Sequence, residues 1–262
     1  MNEKEIKKAN RKAMPKFLLI VVISAIVGGG IGFFSAEYGV SDLTGGMKRA
    51  GAFWGAQIAP WFMMAMVIIL PAICVPIYRS ARKLLLTWDG ENEEISGVVE
   101  EKLSIAMWIS SVAFVFSYFL IASSYSGGFA GFKNMNIVLF FTAVAAFLGI
   151  MVESTLIQQK CVDTIKKMNP EKTASVYDVR FQKKWMDSCD EAEKIIVGKC
   201  AYKAYATTNT VCAVLAIVLA IGALMFDIGF LPSFVVSLIW IVNLSVYCRE
   251  AIRCSKAGNK IS

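Results

Sequence analysis

The chain has 262 residues, of which 56% are hydrophobic and 18% charged, with a net charge of +7 and a mean hydropathy of +0.57. That apolar load exceeds what the core of a water-soluble domain of this length can absorb, so a globular protein free in solution is excluded. Histidine is absent altogether, which removes His-based triads and His-ligated zinc sites.

Six apolar runs are each long enough for a helix to cross the hydrocarbon layer, which takes about 20 residues. Only helices or closed barrels satisfy their backbone inside lipid, and none of the runs alternates as a barrel strand does. The expected class is an all-α polytopic membrane protein, a single integral membrane domain over 1–262.

Residues 1–16 are Lys/Arg-rich and read as a short basic helix on the lipid surface, ending near Pro15. No small-x-small cleavage site follows, so the first span, near 17–36, is expected to be retained. It carries Ser24, Gly28 and Gly32 at intervals of four, a spacing that lets two helix backbones approach closely. That stripe is either a seam within one chain or the face of a homo-oligomer. The second span, near 53–78, continues the small-residue spacing with Gly51, Gly55 and Ala59, then holds Pro60, Pro71 and Pro76, each of which removes a backbone donor.

Past this span the helical stripe persists through Tyr78, Ala81, Leu85 and Trp88 until the turn pair Asp89-Gly90. A hairpin over 79–102 then returns to the third span, near 103–125. The fourth span, near 136–158, behaves alike: its stripe runs on through Ile157, Cys161, Ile165 and Met168 until Asn169-Pro170 stops it. A second hairpin over 159–205 leads to the fifth span, near 206–226, followed by a sixth near 229–247 and a tail over 248–262. Within the second hairpin Phe181, Trp185, Cys189, Ala192, Ile196 and Cys200 recur at helical steps, so a continuous amphipathic helix is expected from Trp185 into the fifth span.

Lys and Arg fix the expected orientation, because cytoplasmic loops retain positive charge. Of 27, 24 fall in the N-terminal segment, the two hairpins and the tail. Both hairpins and both termini are therefore expected on the cytoplasmic side of the plasma membrane. The net positive charge is accounted for by contact with the lipid bilayer, and nucleic acid is not an expected partner. Seven cysteines, none in an expected external loop and none spaced as C-x-x-C, read as free thiols.

The hairpins resemble one another. At an offset of 97 residues Trp88 falls on Trp185, Glu93-Glu94 on Asp190-Glu191 and Lys102 on Lys199. Duplication would make each unit a cytoplasmic amphipathic segment plus two spans. With the first two spans as a diverged third copy, the units would be parallel repeats about a pseudo-threefold axis along the membrane normal.

At Asn169-Pro170-Glu171, Trp185, Cys189-Asp190-Glu191-Ala192-Glu193 and Gly198-Lys199, with Trp88-Asp89-Gly90-Glu91, the chain resembles a family of multi-pass membrane proteins of unknown function from Gram-positive, Firmicutes-type bacteria. The resemblance implies a bacterial plasma-membrane protein and brings no activity, cofactor or catalytic residue with it.

Two groups of residues stand out chemically. Glu153, Asn209 and Asn243 are polar residues at similar expected depth within spans. They form either a cation or proton site or, for Glu153, a carboxylate that snorkels to the interface or is bonded to Thr155 and Gln158 or to another helix. Trp185, Asp187, Asp190, Glu191 and Glu193, with Trp88, Glu93 and Glu94, mark acidic segments at the hairpins. Such acids are solvated and balanced by Lys183, Lys184 and Lys194, hold a divalent cation, or dock a cationic protein surface. No phosphate-binding G-x-x-x-x-G-K-S/T loop occurs, Glu153 and Asp227 lie at opposite ends of their spans, and no catalytic, metal or cofactor site is expected. The leading expectation is a non-enzymatic protein of regulatory, immunity or accessory type that presents the acidic hairpins to another membrane or cytoplasmic protein. The competing one is a transporter or channel for a small ion or amphiphile.

Overall fold

A computed structural model describes Pro15, Leu19, Val22, Ile23, Ile26 and Gly30, and residues 41–124, 137–172, 174–226 and 229–258. The small-residue positions Ser24, Gly28 and Gly32 lie outside the described residues, as does most of the first expected span. Among the described residues the chain forms seven α-helices and no strand: α1 (Ser41–Phe53), α2 (Ala59–Thr87), α3 (Glu93–Ser124), α4 (Ile137–Met168), α5 (Phe181–Asp187), α6 (Glu191–Phe226) and α7 (Leu231–Gly258). A five-residue π-helical turn, Trp54–Ile58, joins α1 to α2. Five of the helices are long and apolar enough to cross a membrane.

Two compact units make up the chain, one of Lys48–Val197 and one of Met1–Met47 with Gly198–Ser262. In the first, α2, α3 and α4 pack against each other in pairs. Lys102 Nζ on α3 donates to Ser80 Oγ on α2 at 2.7 Å, and Asn169 Nδ2, just past α4, donates to Glu100 Oε1 on α3 at 3.1 Å. The C-terminal ends of α2 and α4 therefore meet the N-terminal end of α3, which makes α2 and α4 parallel to each other and antiparallel to α3.

Besides Pro60 in its first turn, the buried residues of α2 are Ala59, Met63, Leu70, Cys74 and Ala81, at steps of four and seven, the narrow seam of helices crossing at small angles. On α3 the seam is Val99, Leu103, Ala106, Ser110, Ser117, Leu120, Ile121 and Ser124. Small side chains there let the helices approach, which matters in lipid, where packing contacts rather than expulsion of water hold helices together. The buried serines of α3 remain satisfied, because Ser110, Ser117 and Ser124 each donate to a carbonyl three or four residues back, at 2.9, 2.7 and 3.0 Å. Outward positions such as Ile68, Trp108 and Val115 are large, apolar and exposed.

The π turn has a local cause. Pro60 follows it at the start of α2, and a proline ring clashes with the carbonyl four residues earlier while offering no donor to it. Letting Ala59 N–H bond Trp54 O, five residues back, inserts one extra residue and relieves that clash. Gly55 is buried within this turn, whereas a side chain at Gly51 would meet nothing within 4 Å. The close α2–α4 approach is instead at Gly149, whose added Cβ would lie 3.7 Å from Val67 Cγ2.

In the second unit, Asn243 Nδ2 on α7 donates to Asn209 Oδ1 on α6 at 3.1 Å. One helical turn away the Tyr205 and Tyr247 rings stack at 4.1 Å and 14°. Both pairs fit one antiparallel register of α6 and α7.

Candidate functional site

Each of the two connections singled out by sequence places a tryptophan on the helical core of the Lys48–Val197 unit, Trp88 at the start of the first and Trp185 within the second. α2 ends at Thr87, where Trp88 turns extended, and Gly90 takes a φ of +92°, the left-handed region that glycine enters without strain. Asp89 Oδ1 accepts from the backbone N–H of Glu91 and Asn92, both at 3.0 Å. Asn92 Oδ1 then caps α3 by accepting from Glu94 and Ile95 N–H at 3.0 and 3.1 Å. Trp88 is half-buried against the helical core with Nε1 donating to Asn92 O at 3.1 Å, while Glu93 and Glu94 are exposed in the first turn of α3.

The second connection is longer. α4 stops at Met168, with Ile157, Cys161, Ile165 and Met168 buried as the stripe predicts. From there residues 169–172 and 174–190 fold back along the bundle. Gln159 on α4 anchors this return, because its Oε1 accepts from Ser175 Oγ at 3.1 Å and Val176 N–H at 2.8 Å. Asp178 accepts from Lys184 Nζ and from Arg180 N–H, and these interactions hold its carboxyl below the usual carboxylate range.

The expected continuous helix from Trp185 is broken. α5 closes at Asp187 and α6 opens at Glu191, with Ser188, Cys189 and Asp190 between them. Ser188 Oγ donates to Trp185 O at 2.8 Å, diverting a carbonyl that a continuing helix would use. Asp190 then starts the new helix as one half of a capping box: its Oδ1 accepts from Glu193 N–H at 2.7 Å, and Glu193 Oε2 accepts from Asp190 N–H at 3.1 Å. The apolar stripe is correspondingly cut short. Cys189 is buried, whereas Ile196 and Cys200 are exposed.

At the centre of this segment lies a residue without a sequence signal, Lys172. Its side chain is 2% exposed. The ammonium donates to Glu193 Oε2, to Ser188 O at 3.4 Å and to Cys189 Sγ at 3.4 Å, and sits 5.4 Å from the centroid of the Trp185 ring. Burial pulls its pKa down, but hydrogen bonds to Glu193 and Cys189 and the Glu193 charge outweigh that, so it is held above the usual lysine value. Beside it, a cavity of about 330 Å³ is lined by Glu100, Asn169, Lys172, Gln182, Trp185 and Glu193 among others.

The expected docking residues therefore divide. Trp185, Trp88, Asp190 and Glu193 hold the fold together, while Asp187, Glu191, Glu93 and Glu94 are exposed. No group of three or more Cys, Asp or Glu among the described residues could hold a metal ion. Of the expected intramembrane site, Asn209 and Asn243 are bonded to each other. Glu153, on α4, has Oε2 buried without a hydrogen-bond partner among the described residues. The neighbours expected to satisfy it are occupied elsewhere, Thr155 on Met151 O at 2.8 Å and Gln158 on Ser111 Oγ at 3.2 Å.

Long apolar helices packed through a small-residue seam, with charged connections folded back on one end, define a multi-helix membrane protein. The chain belongs to the family described as a protein of unknown function, DUF3169, which matches residues 8–251. No curated protein and no solved structure matches it.

Proposed function

We propose that the protein is a non-enzymatic docking protein of a bacterial plasma membrane, of regulatory, immunity or accessory type. Its acidic connections would meet a cationic surface on a partner protein. In this reading the chain has six spans, both termini and both hairpins are cytoplasmic, and the hairpins descend from duplicated two-span units. The topology rests on the distribution of Lys and Arg. Duplication is supported by the packing of both Trp88 and Trp185 on the core; the caps that follow, Asn92 and Asp190, stand four and five residues on and do not coincide at the 97-residue offset.

The observation that carries docking is the anchoring of residues 169–193. Gln159 and Trp185 fix this segment to the bundle and Lys172 braces it internally, while Asp187 and Glu191 remain exposed on it. Acids held in place near an anionic membrane surface repel lipid and favour a cationic protein face, with the ordering cost of the loop already met by the fold.

The test uses the full-length protein purified from its own membranes in mild detergent, beside an Asp187→Lys/Glu191→Lys variant that leaves the Asp190 cap and the Lys172 contacts intact. A partner that copurifies with the native protein, rebinds it after separate purification and is lost by the variant supports docking. Equal binding by both removes these residues as the contact. Transport through the helices is the second reading, favoured by the unpartnered Glu153 Oε2 and the Asn209–Asn243 pair. It requires flux in vesicles that Glu153→Gln abolishes.

A further inference from the structure

A second cavity, of about 260 Å³, opens between α2 and α4 where both helices pass from apolar to charged sequence. From α2 it is lined by Cys74, Val75, Tyr78, Arg79 and Arg82. The spacing of Val75, Tyr78, Arg79 and Arg82, at steps of three and four, places them on one helix face. From α4 it is lined by Leu156, Ile157 and Lys160. Arg79, Arg82 and Lys160 are exposed, and among the described residues no carboxylate lies within ion-pair distance of any of them. The nearest acid along α4, Asp163, is engaged by Gln159 Nε2 at 2.7 Å and lies 3.8 Å from Lys166. Thr164 Oγ1 gives its one proton to Lys160 O at 2.8 Å, so in its 3.4 Å contact with Tyr78 Oη the phenol is the donor, and Tyr78 turns an oxygen that only accepts toward the cavity.

Three uncompensated cations around one opening recognise a phosphate: guanidinium groups bind its oxygens in a fork, and the ammonium adds a single bond. The surroundings choose the source. The deeper wall, Cys74 and Ile157, is buried and apolar. Leu156 also lines a neighbouring groove of about 300 Å³ with Met151, Val152, Thr155 and Tyr177. Tyr177 is 63% exposed, placed where an amphipathic ring suits the boundary of lipid and water. A free phosphate has no use for that groove, whereas a lipid would lay its acyl chain along it.

We propose that the Tyr78/Arg79/Arg82/Lys160 cavity binds the phosphate headgroup of an anionic membrane lipid, with the groove at Val152 and Leu156 taking part of a chain. The site rests on the reading that α2 and α4 lie in a bilayer. It does not rest on the docking role of Asp187 and Glu191, nor on which face of the membrane the helix ends occupy.

Native mass spectrometry of the full-length protein, titrated with phosphatidylglycerol in detergent, reads the site directly. Saturable binding of phosphatidylglycerol over phosphatidylcholine is expected, weakened roughly a hundredfold in Arg79→Gln/Arg82→Gln/Lys160→Gln, the loss expected of three cations at a lipid surface. A control that removes equal charge elsewhere, Lys83→Gln/Lys167→Gln/Lys183→Gln, should bind as the native protein does. Lys160→Arg retains binding and Lys160→Glu loses it, a comparison that stands if the triple variant fails to fold. Inorganic phosphate should not displace the lipid, and Leu156→Asn should weaken lipid binding. Equal losses in cavity and control variants overturn the site. Displacement by inorganic phosphate with no advantage for the acylated ligand overturns the lipid and leaves a soluble phosphate anion as the ligand. The cavity variants lie outside the 169–193 segment and leave Asp187 and Glu191 unchanged, so the two proposals fail separately.

Discussion

The Lys172 ammonium lies 5.4 Å from the centroid of the Trp185 ring, with Glu193 completing its coordination. This contact ties the loop after α4 to the end of α5 and to the first turn of α6. Removing one partner of such a pair leaves a charge in a site that excludes water. Glu193→Gln is expected to lower stability by about 2 kcal/mol, between the values typical of exposed and buried pairs, since Glu193 is 37% exposed. Lys172→Met keeps the stem on Trp185 without stranding a charge in the interior and should cost less. Thermal unfolding in detergent ranks the two, and the reverse order would contradict the account.

The same segment should be insensitive to pH across the neutral range and loosen at either extreme. Asp178 is held below its ordinary carboxylate value, so its contribution is complete above that value and is lost as pH falls through the lowered one. Lys172 is held above its ordinary value, so its contribution is complete below that value and is lost as pH rises through the raised one. Trp185 emission, isolated by subtracting Trp185→Phe, should be flat between these limits. Glu193 shares the acid limb, because burial pushes its pKa up but the bonds from Lys172 and the Asp190 backbone outweigh that, so Asp178→Asn should shrink the acid limb and leave the alkaline one unchanged.

Helix starts at Asn92 and Asp190 depend on side-chain caps. Asn92→Ala and Asp190→Ala should each cost about 1 kcal/mol, with Asp190→Ser largely neutral. Amide exchange confined to the first turns of α3 and α6 would locate the effect. Exchange spread over both helices would show that the caps are not what starts them.

Gly149 offers a test of opposite signs at one position. A methyl group there meets Val67 Cγ2 at 3.7 Å, an ordinary contact, so Gly149→Ala should gain up to about 1 kcal/mol of helix propensity. Gly149→Leu overfills the α2–α4 seam and should cost about 1–3 kcal/mol. Unfolding midpoints of the two variants should bracket the native value.

The Asn209–Asn243 bond should be modest in energy, because hydrogen bonds between helices in lipid average about 0.6 kcal/mol. Asn209→Leu and Asn243→Leu are expected to be nearly as costly singly as together. A strictly additive double variant would mean the two side chains act apart.

Sequence periodicity located the helices well where burial and punctuation agree. The stripe from Ile157 to Met168, closed by Asn169-Pro170, is a buried helix face ending at Met168, and Trp88-Asp89-Gly90 is the turn that ends α2. Periodicity misled from Trp185 to Cys200, because a helical step pattern does not register a carbonyl taken by Ser188 or a cap supplied by Asp190. Lys172, next to Glu171 just past the Asn169-Pro170 helix stop, has the sequence appearance of a solvated loop lysine.

Composition and the order of apolar runs determined on their own that this is a helical membrane protein with charged connections, since the solvent around each helix dictates how apolar it must be. Tertiary structure alone decided which charges are free. Glu193 and Asp190 are spent on internal partners while Asp187 and Glu191 stay exposed, and Arg79, Arg82 and Lys160 converge from two helices onto one cavity. A pairing between residues 21 positions apart, or a cavity shared by residues on two helices, depends on how the chain returns to itself. That return is set by packing, which linear spacing does not encode.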